Sequence, residues 1–166
     1  AQRRCNQKSY ILRIIMTTVL EPQKEKYHSY YMELAESAAK QSVAVRRKVG
    51  AVLVLPSGLI STGWNGTAPG GDNCCEYECE KTDHVYLPNL ETKPEVIHAE
   101  INALSKIHSQ GISVKGSILF VTTAPCRDCA SDLILAGVKA VYFKDTQSSN
   151  DGPWLLNKYS IPTHMY

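Results

Sequence analysis

The sequence has no apolar run near the ~20 residues that a helix needs to cross a bilayer, so we expect no membrane partner. It also has no large excess of charge. The net charge of +2 over 166 residues is too small by itself to indicate a nucleic-acid partner. Internal repeats and low-complexity tracts are absent too. The remaining composition, 43% hydrophobic and 20% charged, is typical of a globular protein.

The first twenty residues imitate a secretory signal only faintly. Basic residues precede an apolar stretch at 10–20, but Arg13 interrupts it and no small-residue cleavage pattern follows. We therefore expect a cytoplasmic protein, in the host-cell cytoplasm if it is phage-encoded. Residues 1–24 are predicted to form an N-terminal arm, and residues 25–166 a single domain.

Six cysteines are present, and an even number in a small chain is compatible with disulfides. Without an export signal, reduced thiols in a cytoplasmic compartment are favoured instead. In that setting a close cysteine pair more often binds metal or does redox work. The cysteines are Cys5, Cys74, Cys75, Cys79, Cys126 and Cys129.

Hydrophobic periodicity predicts the order of the elements. An amphipathic helix over 25–41 precedes two strands, 49–55 and 59–64, which a Pro-Ser-Gly turn joins into a hairpin. Later elements are a helix from about 96 to 111, a strand at 117–122, a helix from 125 to 137, a strand at 139–144, a short helix and a strand near 161. The strand–helix–strand order after 117 predicts a parallel pair with a right-handed crossover. Residues 65–94 show no period, so a long loop insertion is expected there.

Two short motifs carry metal-ligand chemistry. One is His98-Ala99-Glu100, and the other is Pro125-Cys126-Arg127-Asp128-Cys129, each at a predicted helix start. The positive end of a helix favours thiolates, and His98 supplies a third ligand. Three protein ligands leave tetrahedral zinc one open position, which is typical of a catalytic site.

Glu100 lies two residues beyond His98, so we expect it to point towards the open position, where a carboxylate can shuttle protons. His-x-Glu followed by Pro-Cys-x-x-Cys is a signature of zinc nucleobase deaminases. The alternatives are a redox pair and a structural zinc site. A structural site would need a fourth ligand, such as Cys74, Cys75 or Cys79, and would leave Glu100 unexplained.

Beyond these motifs, residues 25–165 resemble the cytidine-deaminase-like superfamily, and within it the phage and bacterial deoxycytidylate deaminases. The resemblance lies in Val49-Gly50-Ala51-Val52, Gly63-Trp64-Asn65-Gly66, the segment from His98 to Ala103, and Gly-Gly-Asp-Asn-Cys-Cys from Gly70. It implies an α/β fold, a three-layer α/β/α sandwich around a mixed sheet of about five strands. It also implies a homohexamer that hydrolyses dCMP to dUMP with Zn²⁺ as cofactor.

The resemblance assigns substrate-binding roles as well. Asn65 would hydrogen-bond the sugar, the Ala99 N–H would bind the pyrimidine carbonyl, and Arg46 would grip the 5′-phosphate. A solvated basic turn is the alternative for Arg46, and hairpin packing is the alternative to base stacking for Trp64. Relatives often place a tyrosine after the strand at 139–144 to hold the phosphate. This chain has Asp-Thr-Gln at 145–147 instead.

The resemblance further implies allosteric control, with dCTP activating and dTTP inhibiting. Closely spaced glycines let backbone N–H groups approach phosphates, so the candidate effector site is Gly66, Gly70, Gly71 and Asn73, with Mg²⁺ on the triphosphate. A flexible surface loop is the alternative. A second, structural zinc on Cys74, Cys75, Cys79 and His84 is a further possibility, although buried or loop thiols are favoured.

Other functions remain open at this point. The enzyme alternatives act on cytidine or deoxycytidine nucleosides, guanine, or adenosine in transfer RNA. A zinc-stabilised nucleotide sensor without turnover is the alternative from another class, and Glu100 argues against it because a sensor needs no proton shuttle.

Overall fold

A computed structural model describes residues 21–79, 89–146 and 150–166. A 3₁₀ turn, Glu25–Tyr27, leads into the first helix. The helices are α1 (His28–Ala39), α2 (Ala99–His108), α3 (Arg127–Ala136) and α4 (Asp151–Lys158). The strands are β1 (Gly50–Val54), β2 (Ile60–Trp64), β3 (Glu76–Cys79), β4 (Asn89–Thr92), β5 (Ile118–Thr123), β6 (Ala140–Asp145) and β7 (Thr163–Met165).

Five strands form a mixed sheet in the order β2-β1-β5-β6-β7. Strand β1 is antiparallel to both of its neighbours, whereas β5, β6 and β7 run parallel. The predicted hairpin and the predicted parallel pair of β5 and β6 are both confirmed. Helix α3 ends where the sequence predicts, because Gly137 adopts the left-handed conformation at its C-cap.

Helices cover both faces of this sheet. On one face, α1 packs Tyr31, Met32 and Ala35 against residues of the central strands such as Phe120. The opposite face carries the larger cluster, to which α2, α3 and α4 contribute Leu104, Leu133 and Leu156 among others. Because β1 and β5 are buried on both faces, they read as continuous apolar runs. The α/β fold expected from the resemblance is confirmed.

Within the predicted insertion 65–94, the structure adds two strands that the sequence does not signal. Strands β3 and β4 pair antiparallel in a separate two-stranded sheet, with Glu76 opposite Thr92. The segment contains many charges, and its polar–apolar alternation at Glu76–Cys79 spans only four residues, so pattern alone indicates a loop. The possible ligand His84 lies outside the described residues, as do Cys5 and residues 1–20 of the expected arm.

The described end of the predicted arm contacts the domain. The Gln23 amide donates to the carbonyls of Val54 and Gly116, and the Tyr31 hydroxyl donates to the carbonyl of Pro22. Among residues 21–79, 89–146 and 150–166, no helix has both the length and the apolarity that crossing a membrane requires.

Gly63 allows the helix that carries His98 and Glu100 to lie directly on β2. A Cβ at this position would lie 2.2 Å from the Ala99 carbonyl oxygen and 2.5 Å from the Ala103 nitrogen. Both are backbone atoms of α2, so the helix itself would have to move away. Gly63 therefore sets the distance between the sheet and the start of the site helix.

We expect Gly63→Ala to lower the free energy of unfolding by ~1–3 kcal/mol, the range for overpacked cores. The entropic gain of a Gly→Ala change, ~0.4–1 kcal/mol, does not offset a backbone clash of this size. Gly66→Ala is the matched control, because a Cβ there would meet nothing within 4 Å. Urea unfolding of both variants measures the difference, and equal stabilities would contradict the role of Gly63.

Candidate active site

Two helix N-termini meet at the candidate metal centre. His98 is the N-cap of α2 and Cys126 is the N-cap of α3. The Cys129 N–H donates to the Cys126 sulfur at 3.4 Å, so this thiol also caps its own helix. Both predicted motifs are therefore at helix starts, where the free N–H groups favour negatively charged ligands.

The three predicted ligands come together. His98 Nδ1 lies 3.2 Å from the Cys129 sulfur and 3.5 Å from the Cys126 sulfur, and the three donor atoms lie within 4.8 Å of one another. Nitrogen and sulfur ligands of a tetrahedral zinc ion stand about 3.6 Å apart, given zinc's usual bond lengths. One imidazole and two thiols are also donors that zinc accepts. The residues fit a zinc ion with three protein ligands.

Contact between the two thiols moves their pKa values in opposite directions. A hydrogen bond from the Cys129 thiol lowers the pKa of Cys126 to about 3, and the same contact raises the pKa of Cys129. The Cys126 sulfur in turn raises the pKa of His98. A lowered thiol pKa favours the thiolate, which is the form that binds a metal ion.

Glu100 lies in the first turn of α2 with only 3% of its surface exposed. Burial raises the pKa of its carboxyl group to about 7, against the opposing effects of a backbone hydrogen bond and His98. A carboxyl group whose pKa lies near neutral pH can both accept and release a proton. A buried carboxyl group beside a cavity is also a candidate functional residue in its own right.

A cavity of about 400 Å³ opens beside this cluster, within the 300–1,000 Å³ usual for ligand sites. Apart from the two cysteine ligands, the cavity is lined by all the residues predicted for metal binding, catalysis and substrate binding. These residues are Arg46, Asn65, His98, Ala99 and Glu100.

Asn65 is held by the backbone around it. Its side-chain oxygen accepts from the Val49 N–H at 2.8 Å, and its amide nitrogen donates to the Arg47 carbonyl at 2.9 Å. One N–H and one lone pair are left for a ligand. Asn65 therefore fixes the turn before β1 as well as facing the cavity.

In the candidate effector segment, some glycine N–H groups already have partners. The Gly66 N–H donates to the Ile97 carbonyl, and the Gly71 N–H donates to the Ala68 carbonyl. Gly70 and Asn73 adopt left-handed backbone conformations, which shape the turn.

Trp64 is not among the residues that line the cavity in the described part of the chain. The Lys106 ammonium lies over its ring, 4.5 Å from the centroid, and donates to the Thr62 carbonyl. The Trp64 ring therefore contacts a lysine of the site helix α2 rather than the cavity.

Sequence reasoning missed several residues of the site. Thr92 and Thr123 line the cavity, and nothing in their local sequence distinguishes them. Gly152 was missed too. A Cβ there would lie 1.9 Å from the Pro125 carbonyl oxygen and 2.9 Å from that of Cys126. Only a residue without a side chain lets α4 press against the cysteine motif.

Comparison with known proteins decides the family. The profile described as "Cytidine and deoxycytidylate deaminase zinc-binding region" matches residues 25–145, a span that contains the whole cluster. The chain belongs to this family. The group of His98, Cys126 and Cys129 is its zinc site.

Similar proteins share more than the zinc motif. The deoxycytidylate deaminase of Enterobacteria phage T4 is 30% identical over 159 residues, covering 76% of this chain and 81% of the relative. That of Schizosaccharomyces pombe is 35% identical and covers 72% of this chain, which spans 37% of its length. In the crystal structure of the dCMP deaminase from cyanophage S-TIM5 with dCMP and dUMP, the chain has 37% sequence identity to this one. It has a TM-score of 0.74, and the match covers 86% of this chain and 99% of that one.

We expect Cys129→Ser to lose most of its zinc, because a hydroxyl rarely replaces a thiolate in a site of this kind. Elemental analysis of the purified protein measures the metal. Cys74→Ser is the control, since Cys74 is an exposed free thiol. Undiminished zinc in Cys129→Ser would contradict the assignment. Loss from Cys74→Ser alone would instead point to the second candidate site, formed by Cys74, Cys75, Cys79 and His84.

Proposed function

We propose that this chain deaminates dCMP by zinc-dependent hydrolysis, releasing dUMP and ammonia and so supplying dUMP for thymidylate synthesis. One observation carries the proposal. A single cavity is lined by a zinc ligand, a buried carboxyl group and arginine residues that can bind phosphate. The cyanophage relative bound to dCMP and dUMP supports the same substrate.

The residues suggest a division of labour. Zinc held by His98, Cys126 and Cys129 would supply an activated water as the nucleophile. Hydrolysis adds this water to C4 of the cytosine and breaks the bond between C4 and its amino group. The Glu100 carboxylate would take the two protons of the water in turn, passing one to ring nitrogen N3 and the other to the departing amino nitrogen, which leaves as ammonia while the oxygen stays on C4. Burial of Glu100 keeps bulk solvent from competing for these protons.

Substrate orientation falls to three other positions. The Ala99 N–H belongs to the first turn of α2, where backbone donors have no partner within the helix, so it suits the pyrimidine carbonyl oxygen. The free half of the Asn65 amide suits the sugar. Arg46, which lines the cavity, suits the 5′-phosphate.

Glu100→Gln should keep zinc and nucleotide binding but lose turnover. The loss should exceed the ~10²–10⁴-fold typical of one acid–base step, because a single group serves several proton transfers. Glu33→Gln, the same change at an exposed carboxylate of α1 away from the cavity, is the control and should change little. Ammonia release measures turnover and equilibrium dialysis measures binding. Activity within tenfold of wild type would refute the role of Glu100.

Substrate choice is tested by ammonia release from dCMP, deoxycytidine, cytidine, guanine and a transfer-RNA hairpin. We expect the highest specificity constant with dCMP. Arg46→Ala should lower it strongly for dCMP and much less for deoxycytidine, since the nucleoside has no phosphate to bind. Equal specificity constants for dCMP and deoxycytidine in the wild-type enzyme would overturn the proposed substrate. Turnover of none of the five would favour a nucleotide sensor.

We also propose regulation by triphosphates, with dCTP activating and dTTP inhibiting, and with Mg²⁺ bound to their phosphates. The segment containing Gly66, Gly70, Gly71 and Asn73 is the proposed site. Its support is the resemblance and the turn geometry at Gly70 and Asn73. An effector of this kind must bind one state of the enzyme better than the other.

If so, dCMP saturation curves with Mg²⁺ should become more sigmoidal with dTTP and hyperbolic with dCTP. A coupling of ~1–3 kcal/mol would suffice. Initial-rate kinetics with each triphosphate measure the effect, and omission of Mg²⁺ is the control. Identical curves up to millimolar effector would leave an unregulated enzyme.

Assembly into a hexamer is part of the same proposal. Leu135 on α3 is 85% exposed, and a groove of about 430 Å³ lies beside it, lined by Ile101 and Leu104 of α2. An exposed apolar patch of this kind supports a protein contact.

The cellular location is a separate proposal. Since the proposed substrate is a nucleotide of general metabolism, we place the enzyme in the cytoplasm.

A further inference from the structure

The turn that carries Arg46 is anchored from outside its own segment. It lies between α1 and β1 and has no regular hydrogen-bonding pattern of its own. Ala44 is buried in a small apolar cluster with Cys75 and Val96, whereas Val45 is 76% exposed. Apolar burial fixes the start of the turn and the Asn65 amide holds the Arg47 carbonyl, so Val45 and Arg46 between them depend on other contacts.

Glu76, the first residue of β3, provides these contacts. Its carboxylate accepts from the Val45 N–H at 3.1 and 3.2 Å, and from the Arg46 N–H at 3.1 Å. All three of these bonds hold backbone N–H groups of the turn. Hydrogen bonds to a charged acceptor are stronger than neutral ones, so the carboxylate is well suited to hold an exposed loop.

The partner strand restrains the other end of Arg46. Thr92 stands directly opposite Glu76 in the β3–β4 ladder, and its hydroxyl oxygen accepts from the Arg46 guanidinium at 3.3 Å. One residue pair thus holds both the backbone and the side chain of Arg46. Thr92 and Arg46 both line the cavity.

We propose that Glu76 is a positioning residue, which fixes Arg46 at the cavity and so determines the preference for a nucleoside 5′-monophosphate over the nucleoside. The inference rests on the proposed function. Glu76 acts through Arg46 and does not contact the substrate. Its influence should therefore appear in the binding of substrates that carry a phosphate and much less in the chemical step.

The test compares steady-state kinetics of zinc-loaded wild type, Glu76→Ala and Glu76→Gln on dCMP and deoxycytidine. Glu76→Ala should raise the KM for dCMP about tenfold, equivalent to one lost charged hydrogen bond, with kcat nearly unchanged. The specificity constant for deoxycytidine should fall much less. Glu76→Gln should restore most of the KM, because one side-chain oxygen can accept from both N–H groups.

Two controls separate positioning from other effects. Glu95→Ala removes an exposed carboxylate next to the cavity-lining residue Val96 and should behave as wild type. In an Arg46→Ala background, adding Glu76→Ala should have little further effect, because the residue it positions is gone. Thermal unfolding and zinc content are measured for every variant.

The outcomes are distinguishable. A wild-type enzyme without preference for dCMP would remove the proposed function before Glu76 is tested. If the preference exists, equal losses on both substrates in Glu76→Ala would mean a general structural role and overturn the inference. A Glu76→Gln variant as impaired as Glu76→Ala would overturn it too, since the acceptor geometry would then not matter.

Discussion

The site depends on the meeting of two helix N-termini over one end of the sheet. Cys126 caps α3 and His98 caps α2, and their donor atoms approach to 3.5 Å. Unpaired N–H groups at both termini stabilise thiolate and carboxylate charge in a partly buried place. Without this convergence, the three ligands would be separate features of two surface turns. The close approach of the helices to the rest of the fold at Gly63 and Gly152 maintains it.

Local patterns predicted the main sheet well. The apolar runs of β1 and β5 and the turn between β1 and β2 are signals contained within a few residues. The left-handed Gly137 marks a helix end by the same local logic. The zinc ligands were recognisable because their spacing is a property of single helical turns.

What the sequence could not predict depends on distant contacts. Val45 and Arg46 are separated from their hydrogen-bond acceptor Glu76 by 31 and 30 positions in the sequence, so no local pattern predicts these bonds. Strands β3 and β4 have only four residues each, too few for a polar–apolar alternation to stand out among the charges of the segment. The need for glycine at 152 is likewise invisible in the local sequence, because it arises from contact with the distant Pro125 carbonyl. Substrate-contact roles were therefore harder to assign than metal ligands.

The two edge strands of the main sheet, β2 and β7, are protected from pairing with another chain in different ways. Strand β7 has only three residues, too few to template another strand. Strand β2 is longer, but Lys106 places its ammonium on the Thr62 carbonyl and over the Trp64 ring. An incoming chain would have to displace this charge to reach the backbone, and charged side chains at sheet edges discourage such pairing. The fold thereby resists the edge-to-edge aggregation to which open sheets are prone.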